Sequence, residues 1–389
     1  METEGEGGVG RRRARELGLA FGEYPTGPAN AITDVGDVRV GHVTLMSGEG
    51  PLRPGAGPVR TGVTIVCPHG GNLFRQKVPA AVCTINGFGH VLGFEFIREL
   101  GLLESPIALT NTLNVGLVAD ALVEAAIRES PEIGIRTGTV HVVVGETNDG
   151  HLNDIQGRHV RAPHVHQALA EAAGGPVAEG AVGAGTGTTC YGWKGGIGTA
   201  SRQLPAEAGG FRVGVLVQTN FGRPQDLTIC GVPVGRTLRP LGRAGAAAER
   251  GSVMVVLATD APMEARQLAR LANRAGAGLA RTGSHHGHAS GDFVIAFSTA
   301  HKIPHAPDAI VRSGPFLADE GRVMAHLFPA VAECVEEAVV NSLCSAETTV
   351  GRDGNTRLGL PVEQVAGLIR GARFTAKTPW GTQTPPGGS

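Results

Sequence analysis

The chain has 389 residues and a formal net charge of −1, with 41% hydrophobic and 18% charged residues. This composition is that of a globular protein with enough apolar material for a sizeable core. The balanced charge and the 4% aromatic content argue against a surface built for nucleic acid or an anionic membrane.

Order is predicted to begin near residue 29, because residues 1–28 are charged, glycine-rich and aperiodic and indicate a flexible arm. Alternating or continuous apolar runs predict the strands that follow. They lie at residues 38–43, 62–67, 80–85, 139–145, 211–218, 252–258 and 292–297. The Pro/Gly-rich tail at 379–389 is predicted to be flexible.

Helical periodicity is clearest at residues 114–129, and further helices are predicted at 162–173, 319–345 (interrupted at Pro329) and 361–371. Asp260 is expected to cap another helix, with Leu268 and Leu271 on its inner face. Strands and helices mix without a strict βαβ rhythm. The pattern therefore favours sheets packed as a sandwich and covered by helices over a doubly wound sheet.

One local feature stands out at Gly251-Ser252. Residues 242–250 contain no large apolar side chain, and the chain then changes abruptly to a buried strand that begins with Ser252. A glycine before the serine leaves room for the hydroxyl to attack its own preceding carbonyl. Cleavage there would free an α-amine that can act as a base beside the hydroxyl. An ordinary strand after a loop is the alternative interpretation.

Several segments read together make this pattern specific. They are 30–35 (NAITDV), 145–154 (GETNDGHLND), 183–187 (GAGTG), 194–202 (KGGIGTASR), 217–222 (VQTNFG), 251–252 (GS), 281–284 (RTGS) and 290–292 (SGD). In this order they resemble the L-aminopeptidase/D-esterase family, which includes the β-aminopeptidases. The resemblance covers roughly residues 28–375.

The resemblance implies an α/β fold, a four-layer αββα sandwich, made from one precursor cut into two chains. The large chain would end at residue 251, and residues 252–378 would form the small chain, co-folded with residues 29–251 in a single domain. It also implies hydrolysis of amino-terminal residues from short peptides, aminoacyl amides or esters, without a metal or other cofactor. A homo-oligomer of cleaved protomers is expected.

Site residues follow from the same resemblance. Ser252 corresponds to the nucleophile, Ser290 and Asp292 to the partners that relay or orient its proton, and Asn220 to an oxyanion donor. Glu146 corresponds to the carboxylate that holds the substrate ammonium.

Asn148 stands where some relatives have an aromatic hydroxyl as a second oxyanion donor. Its amide is a candidate for that role or for another contact with the substrate.

Other interpretations of the same residues are weaker. The segment 183–187 lacks the spacing and the lysine of a phosphate loop, so its glycines more simply allow close backbone packing. His285, His286 and His288 form a trio that could hold a metal, although a polar loop at the rim of the substrate pocket is the simpler interpretation. An acyltransferase of the ornithine acetyltransferase type and an inactive binding protein are the alternative functions.

The six cysteines are scattered and none has CxxC spacing, which is typical of reduced thiols in a cytosolic protein. Neither a secretory signal nor an apolar run long enough to span a bilayer is visible in the sequence. We therefore expect a cytoplasmic protein.

Overall fold

The computed structural model describes residues 11–240 and 250–375. Its strands are β1 (Arg39–Ser47), β2 (Val59–Cys67), β3 (Gln76–Gly87), β4 (Leu102–Leu103), β5 (Ile107–Asn111), β6 (Val143–Thr147), β7 (Thr189–Cys190), β8 (Trp193–Lys194), β9 (Ile197–Gln203), β10 (Arg212–Asn220), β11 (Arg250–Thr259), β12 (Ala289–Ser298), β13 (Ile303–Pro304), β14 (Thr349–Val350) and β15 (Thr356–Arg357). Its α-helices are α1 (Phe94–Leu100), α2 (Val115–Glu129), α3 (Ala162–Ala170), α4 (Ala265–Ala272), α5 (Ala275–Arg281), α6 (Glu320–Cys344) and α7 (Val362–Thr375).

Two sheets form the centre of the molecule. The first has the strand order β1-β2-β5-β6, and the second has the order β13-β3-β12-β11-β10-β9, with β4 beside β3. In the second sheet β11 runs parallel to β12 and antiparallel to β10. Strands from sequence positions before and after Ser252 therefore share one sheet.

Three apolar cores separate four layers. One core joins α2 and α3 to the first sheet, a second lies between the sheets, and a third joins the second sheet to α4, α5 and α6. Along β11, Val253 and Val255 belong to the outer core and Met254 and Val256 to the core between the sheets. A strand covered on both faces reads as a continuous apolar run, as this one does. The predicted αββα sandwich is confirmed.

Residues 11–28 differ from the predicted flexible arm. A 3-10 turn at Ala14–Leu17 packs against the domain, and Leu19 and Phe21 are buried. The Arg15 guanidinium forms a salt bridge of 2.7 Å with the buried carboxylate of Glu337 on α6. Three apolar side chains at alternate positions, from Leu17 to Phe21, anchor a segment whose charges and glycines suggested disorder. Residues 1–10 and the predicted tail at 379–389 lie outside the described residues.

The helix predicted to start at Asp260 begins later. Helix α4 has Glu264 as its N-cap residue, while Asp260 accepts a hydrogen bond of 2.7 Å from the backbone N–H of Arg212. The cap prediction for Asp260 was wrong because this carboxylate stabilises the end of a strand pair. Leu268 and Leu271 are fully buried, as predicted for the inner face.

Helix α6 continues through Pro329 from Glu320 to Cys344, so the predicted interruption was wrong. A proline removes one backbone hydrogen bond, but nearly all of the helix after Pro329 is buried against the second sheet and α5. Tertiary packing of this kind outweighs the local cost of one proline.

The two sheets approach each other closely near the end of β6. A Cβ on Gly145 would lie only 2.4 Å from Cε of Met254 on β11, so a side chain at this position would force the Met254 side chain to move. This contact sets the first sheet's Glu146 near the start of β11. Across the described residues, no helix combines the length and the apolar character that crossing a membrane needs.

Candidate active site

Ser252 lies at the third position of β11, because Arg250 and Gly251 already pair with β12 in the uncleaved chain. Its side chain is buried. Ser252 Oγ donates a hydrogen bond of 2.8 Å to the carbonyl oxygen of Gly251 and accepts one of 3.3 Å from the N–H of Gly291. The hydroxyl therefore lies against the peptide bond whose cleavage the sequence predicts. Of the polar segment predicted at residues 242–250, residues 242–249 lie outside the described part of the chain, and Arg250 already belongs to β11.

Gly251 is a glycine for a steric reason. Its Cβ would lie 2.3 Å from the carbonyl oxygen of Asn220 and 2.7 Å from Cα of Phe221. Its backbone does not have a positive φ, so a left-handed conformation is not what requires glycine here. The chain passes too close to the end of β10 to carry a side chain.

Asn220 lies directly opposite Ser252 in the antiparallel pairing of β10 and β11. The backbone N–H of Thr189 donates a hydrogen bond of 3.0 Å to Asn220 Oδ1. Because the oxygen of the amide is held by Thr189, its NH2 group points the other way. The side chain can thus donate a hydrogen bond near the Ser252 hydroxyl.

Ser290 and Asp292 flank Gly291 on β12, the strand that runs parallel to β11. Ser290 Oγ donates a 2.5 Å hydrogen bond to Asp292 Oδ1, and both side chains are buried. Among the described residues, the hydrogen bonds of Ser252 Oγ are those with Gly251 and Gly291. The structure thus joins Ser290 to Asp292 directly and brings them to Ser252 through the intervening Gly291 backbone.

Two further residues shape this part of the site and were missed by sequence reasoning in that role. Nδ1 of His286 lies 2.7 Å from Asp292 Oδ2, so the carboxylate has a partner on each oxygen. Asn86 pairs with Asp292, and its amide donates to the carbonyl oxygens of Gly287, His288 and Ser290. These bonds fix the loop that leads into β12.

The position of Asn86 depends on an irregularity in β3. Asp292 pairs with Asn86 whereas the next residue, Phe293, pairs with Thr84, so Ile85 is an extra residue in β3. A bulge of this kind re-aims the side chains beside it. No hydrophobic pattern could reveal it, since Ile85 fits an unbroken strand equally well.

Glu146 comes from the first sheet and is buried at the end of β6. Its Oε1 accepts a 3.0 Å hydrogen bond from the His90 N–H, and its Oε2 accepts one from the Thr112 hydroxyl. Gly89 lies between Glu146 and the second sheet: a Cβ there would be 3.2 Å from Glu146 Oε1 and 3.4 Å from Cα of Gly291. The carboxylate therefore lies near Gly291, the residue of β12 that pairs with Ser252.

Asn148 is exposed, two residues beyond Glu146. Its Oδ1 accepts a 2.9 Å hydrogen bond from the Gly150 N–H in a tight turn. This bond orients the amide NH2 away from the turn, where it can serve as a donor.

The histidine trio does not converge on one point. His285 lies 4.0 Å from a carboxylate oxygen of Asp226, whereas His286 contacts Asp292. Across residues 11–240 and 250–375, no group of three or more His, Cys, Asp or Glu side chains is arranged to hold a metal ion. The glycine-rich segment 183–187 is buried and bonded to neighbouring strands, for example from the Gly183 N–H to the Thr44 hydroxyl at 2.8 Å.

The chain is similar to known proteins along most of its length. The model of a family described as peptidase family S58 matches residues 30–357. A curated relative, the beta-peptidyl aminopeptidase BapA of Sphingosinicella xenopeptidilytica, is 42% identical over 374 residues, which cover 93% of this chain and 92% of the relative.

Two solved structures share the fold. The L-aminopeptidase D-Ala-esterase/amidase of Ochrobactrum anthropi, described as a variant of the Ntn hydrolase fold, superposes with a TM-score of 0.86 at 40% identity, covering 93% of this chain and 99% of that one. A beta-aminopeptidase from a Burkholderia species gives a TM-score of 0.85 at 44% identity, with coverage of 92% and 99%.

Proposed function

Because this chain belongs to peptidase family S58 and is a self-processing serine aminopeptidase, we propose that Ser252 is its nucleophile and that the precursor cuts itself between Gly251 and Ser252. The observation that carries the proposal is the 2.8 Å contact from Ser252 Oγ to the carbonyl oxygen of its own preceding peptide bond. The glycine before it cannot carry a side chain, because its Cβ would lie 2.3 Å from the Asn220 carbonyl oxygen.

The self-cleavage proceeds in two steps. Ser252 Oγ attacks the Gly251 carbonyl carbon and loses its proton, the C–N bond breaks, and the Ser252 nitrogen leaves as an amine that gains a proton. Water then hydrolyses the resulting ester, which leaves a carboxylate on Gly251 and restores the hydroxyl. Asn220 supplies an N–H to the oxyanion in this geometry.

In turnover the freed α-amine, whose ordinary pKa is about 7.7–8.0, takes the proton of Ser252 Oγ as it attacks a substrate carbonyl. Asn220 again donates to the oxyanion, and Ser290 with Asp292 orients the proton-carrying groups. Glu146 pairs with the ammonium of the substrate, which selects a free amino terminus. The leaving amine takes a proton, and water releases the acyl group from Ser252.

The substrates are short peptides, aminoacyl amides or esters. Because relatives at 42% and 44% identity are named as β-aminopeptidases, β-amino acids at the amino terminus are included in the proposal. Asn148, exposed beside Glu146, contacts the substrate in this scheme.

The large and small chains, 29–251 and 252–378, stay together after cleavage as one folded unit. The second sheet supports this part of the proposal, because β11 and β12 of the small chain pair with β10 and β3 of the large chain. Homo-oligomers of such cleaved protomers and a cytoplasmic location complete the proposal. The six cysteines are all free thiols, in keeping with a reducing compartment.

Intact mass spectrometry of the wild type and of Ser252→Ala tests the cleavage. We expect two chains from the wild type, the smaller beginning at Ser252, and one full-length chain from the variant. Release of amine from α- and β-aminoacyl p-nitroanilides then tests the activity. A wild type that stays uncut, or a Ser252→Ala variant that is cut, would refute the assignment of Ser252.

A further inference from the structure

His286 extends the pair of Ser290 and Asp292 toward solvent. Its Nδ1 lies 2.7 Å from Asp292 Oδ2, while Ser290 Oγ donates to Asp292 Oδ1 at 2.5 Å. The Asp292 side chain is 1% exposed and the His286 side chain 23%. A partly exposed imidazole is therefore linked to two buried groups, Asp292 and Ser290.

The order of these groups differs from a serine hydrolase triad, in which the histidine stands between the serine and the carboxylate. Here the carboxylate is in the middle and the histidine is at the far end. His286 contacts Asp292, and an effect on the reaction can pass through that carboxylate.

A buried carboxylate without an opposite charge is costly, and burial drives such a group toward its neutral form. Among the described residues, the ion-pair partner of Asp292 is His286. A neutral Asp292 would carry its own proton and would compete with Ser290 as a donor. Ser290 then could not be held with its hydroxyl directed at the carboxylate.

The strands packed on the pair bring neutral side chains to it, and cleavage adds the α-amine of Ser252, which is common to the wild type and to every cleaved variant. Asn86 on β3 and Val253 on β11 are the strand partners of Asp292, and on α5 a Cβ at Gly276 would lie 3.9 Å from Nε2 of His286. Of the titratable neighbours, His285 faces Asp226, and Arg281 at the end of α5 lies 3.5 Å from Glu336. His288 contributes its backbone carbonyl to Asn86.

We propose that His286 is a positioning residue of this active site, whose imidazolium keeps the buried Asp292 carboxylate ionised so that Asp292 can orient Ser290. The local backbone supports this assignment. His286 has a positive φ of 51°, an uncommon conformation for a residue other than glycine. Its N–H lies 3.3 Å from the Ser284 hydroxyl, and Asn86 holds the residues that follow. The loop is thus built to present this ring to Asp292.

The inference rests on the proposed function, since it requires that Ser290 and Asp292 serve Ser252. The test measures kcat/KM on an aminoacyl p-nitroanilide from pH 5 to pH 8 for the wild type, His286→Ala, His286→Gln and His285→Ala. Gln keeps a donor without the charge, and His285 is the matched neighbour in the same loop. Far-UV circular dichroism and intact mass confirm that each variant is folded and processed.

We expect the ratio of wild-type to His286→Ala kcat/KM to rise at least tenfold between pH 8 and pH 5, because His286→Ala leaves the buried carboxylate of Asp292 without its ion-pair partner. His286→Gln should show a smaller rise, and His285→Ala a ratio near one at every pH. If a variant remains uncut, the rate of its self-cleavage is followed over the same pH range. A ratio that is constant with pH, whatever its size, overturns the proposal.

Asp292→Asn separates this failure from failure of the proposed function. If Asp292→Asn retains wild-type activity, the assignment of Asp292 to the active site is wrong, and His286 has nothing to act through. If Asp292→Asn is inactive while the His286 ratio is flat, the proposed function stands and only the inference about His286 falls.

Discussion

Asn220 and Ser252 face each other as a directly opposed pair on β10 and β11, and the backbone N–H of Thr189 holds the oxygen of the Asn220 amide. The asparagine is consequently fixed in one orientation by a group outside the reaction. A donor whose orientation is set before the substrate arrives needs no reorganisation when the oxyanion forms, which is what makes such groups effective.

The first prediction concerns this donor. Asn220→Asp keeps an oxygen for Thr189 but replaces the NH2 group, and Asn220→Ala removes both. We expect kcat to fall about 10²–10³-fold in each, with KM changed little, because the hydrogen bond is made chiefly in the transition state. Steady-state kinetics measures this. An Asp variant as active as the wild type would show that the amide is not the donor.

The second prediction concerns Gly251. Ala at this position would place its Cβ 2.3 Å from the Asn220 carbonyl oxygen, so β11 must move away from β10 just where Ser252 begins its attack. We expect self-cleavage of Gly251→Ala to slow by at least tenfold, followed as loss of the full-length chain on gels or by intact mass. Gly116→Ala on α2 is the control, because its Cβ would meet no atom within 4 Å apart from its chain neighbours and the backbone of its own helix. Equal cleavage rates in the two variants would contradict the steric account.

The third prediction concerns recognition of the amino terminus. Glu146→Gln keeps the shape of the side chain but loses its charge, so kcat/KM for an aminoacyl amide should fall about 10–100-fold, mostly through KM. The analogue without the amino group is the matched control, and its slow hydrolysis should not change. Thr112→Val should have a smaller effect, because Glu146 keeps its bond from the His90 N–H. Equal losses on both substrates would assign Glu146 a purely structural role.

Parts of this molecule with a repeating pattern were predictable from the sequence. Helix α2 was predicted at 114–129 and spans Val115–Glu129, and the apolar run after Ser252 lies in β11 as predicted. The strand before Glu146 was predicted at 139–145 but spans Val143–Thr147. Periodicity identifies an element, whereas its ends depend on contacts with other elements.

Periodicity does not predict contacts between particular side chains, whether these are distant or close in the sequence. Arg15 forms a salt bridge with Glu337, more than 300 positions away, and the Asp260 carboxylate accepts a hydrogen bond from the Arg212 N–H on a neighbouring strand. His286 was taken with its neighbours as a loop trio, and its contact with Asp292 became visible only in three dimensions. The two residues are six positions apart, on opposite sides of a turn, and this spacing belongs to no motif that would predict their contact.

The last prediction concerns the pH dependence of stability. Burial raises the pKa of Asp149 to about 7, against hydrogen bonds from Thr61 and Asn153 that lower it. The folded chain therefore holds a proton that the unfolded chain releases once the pH rises above about 4. Between pH 4 and pH 7 this group makes the free energy of unfolding fall as the pH rises, by an amount on the order of 4 kcal/mol.

Asp149→Asn should remove this fall, because an amide does not titrate in this range. The free energy of unfolding of the variant, relative to that of its parent, should therefore rise as the pH rises from 4 to 7. Both proteins carry Ser252→Ala to remain single chains, and urea unfolding at each pH supplies the free energies. Asp154→Asn is the matched control of opposite sign. Burial raises the pKa of Asp154, but hydrogen bonds from His159 and two backbone amides outweigh it and hold that pKa below the ordinary value. Asp154 therefore loses its stabilising effect only as the pH falls below about 4, so the difference between its variant and the parent should stay nearly constant from pH 4 to pH 7. Parallel pH curves for Asp149→Asn and its parent would mean that Asp149 is ionised in the folded chain throughout this range.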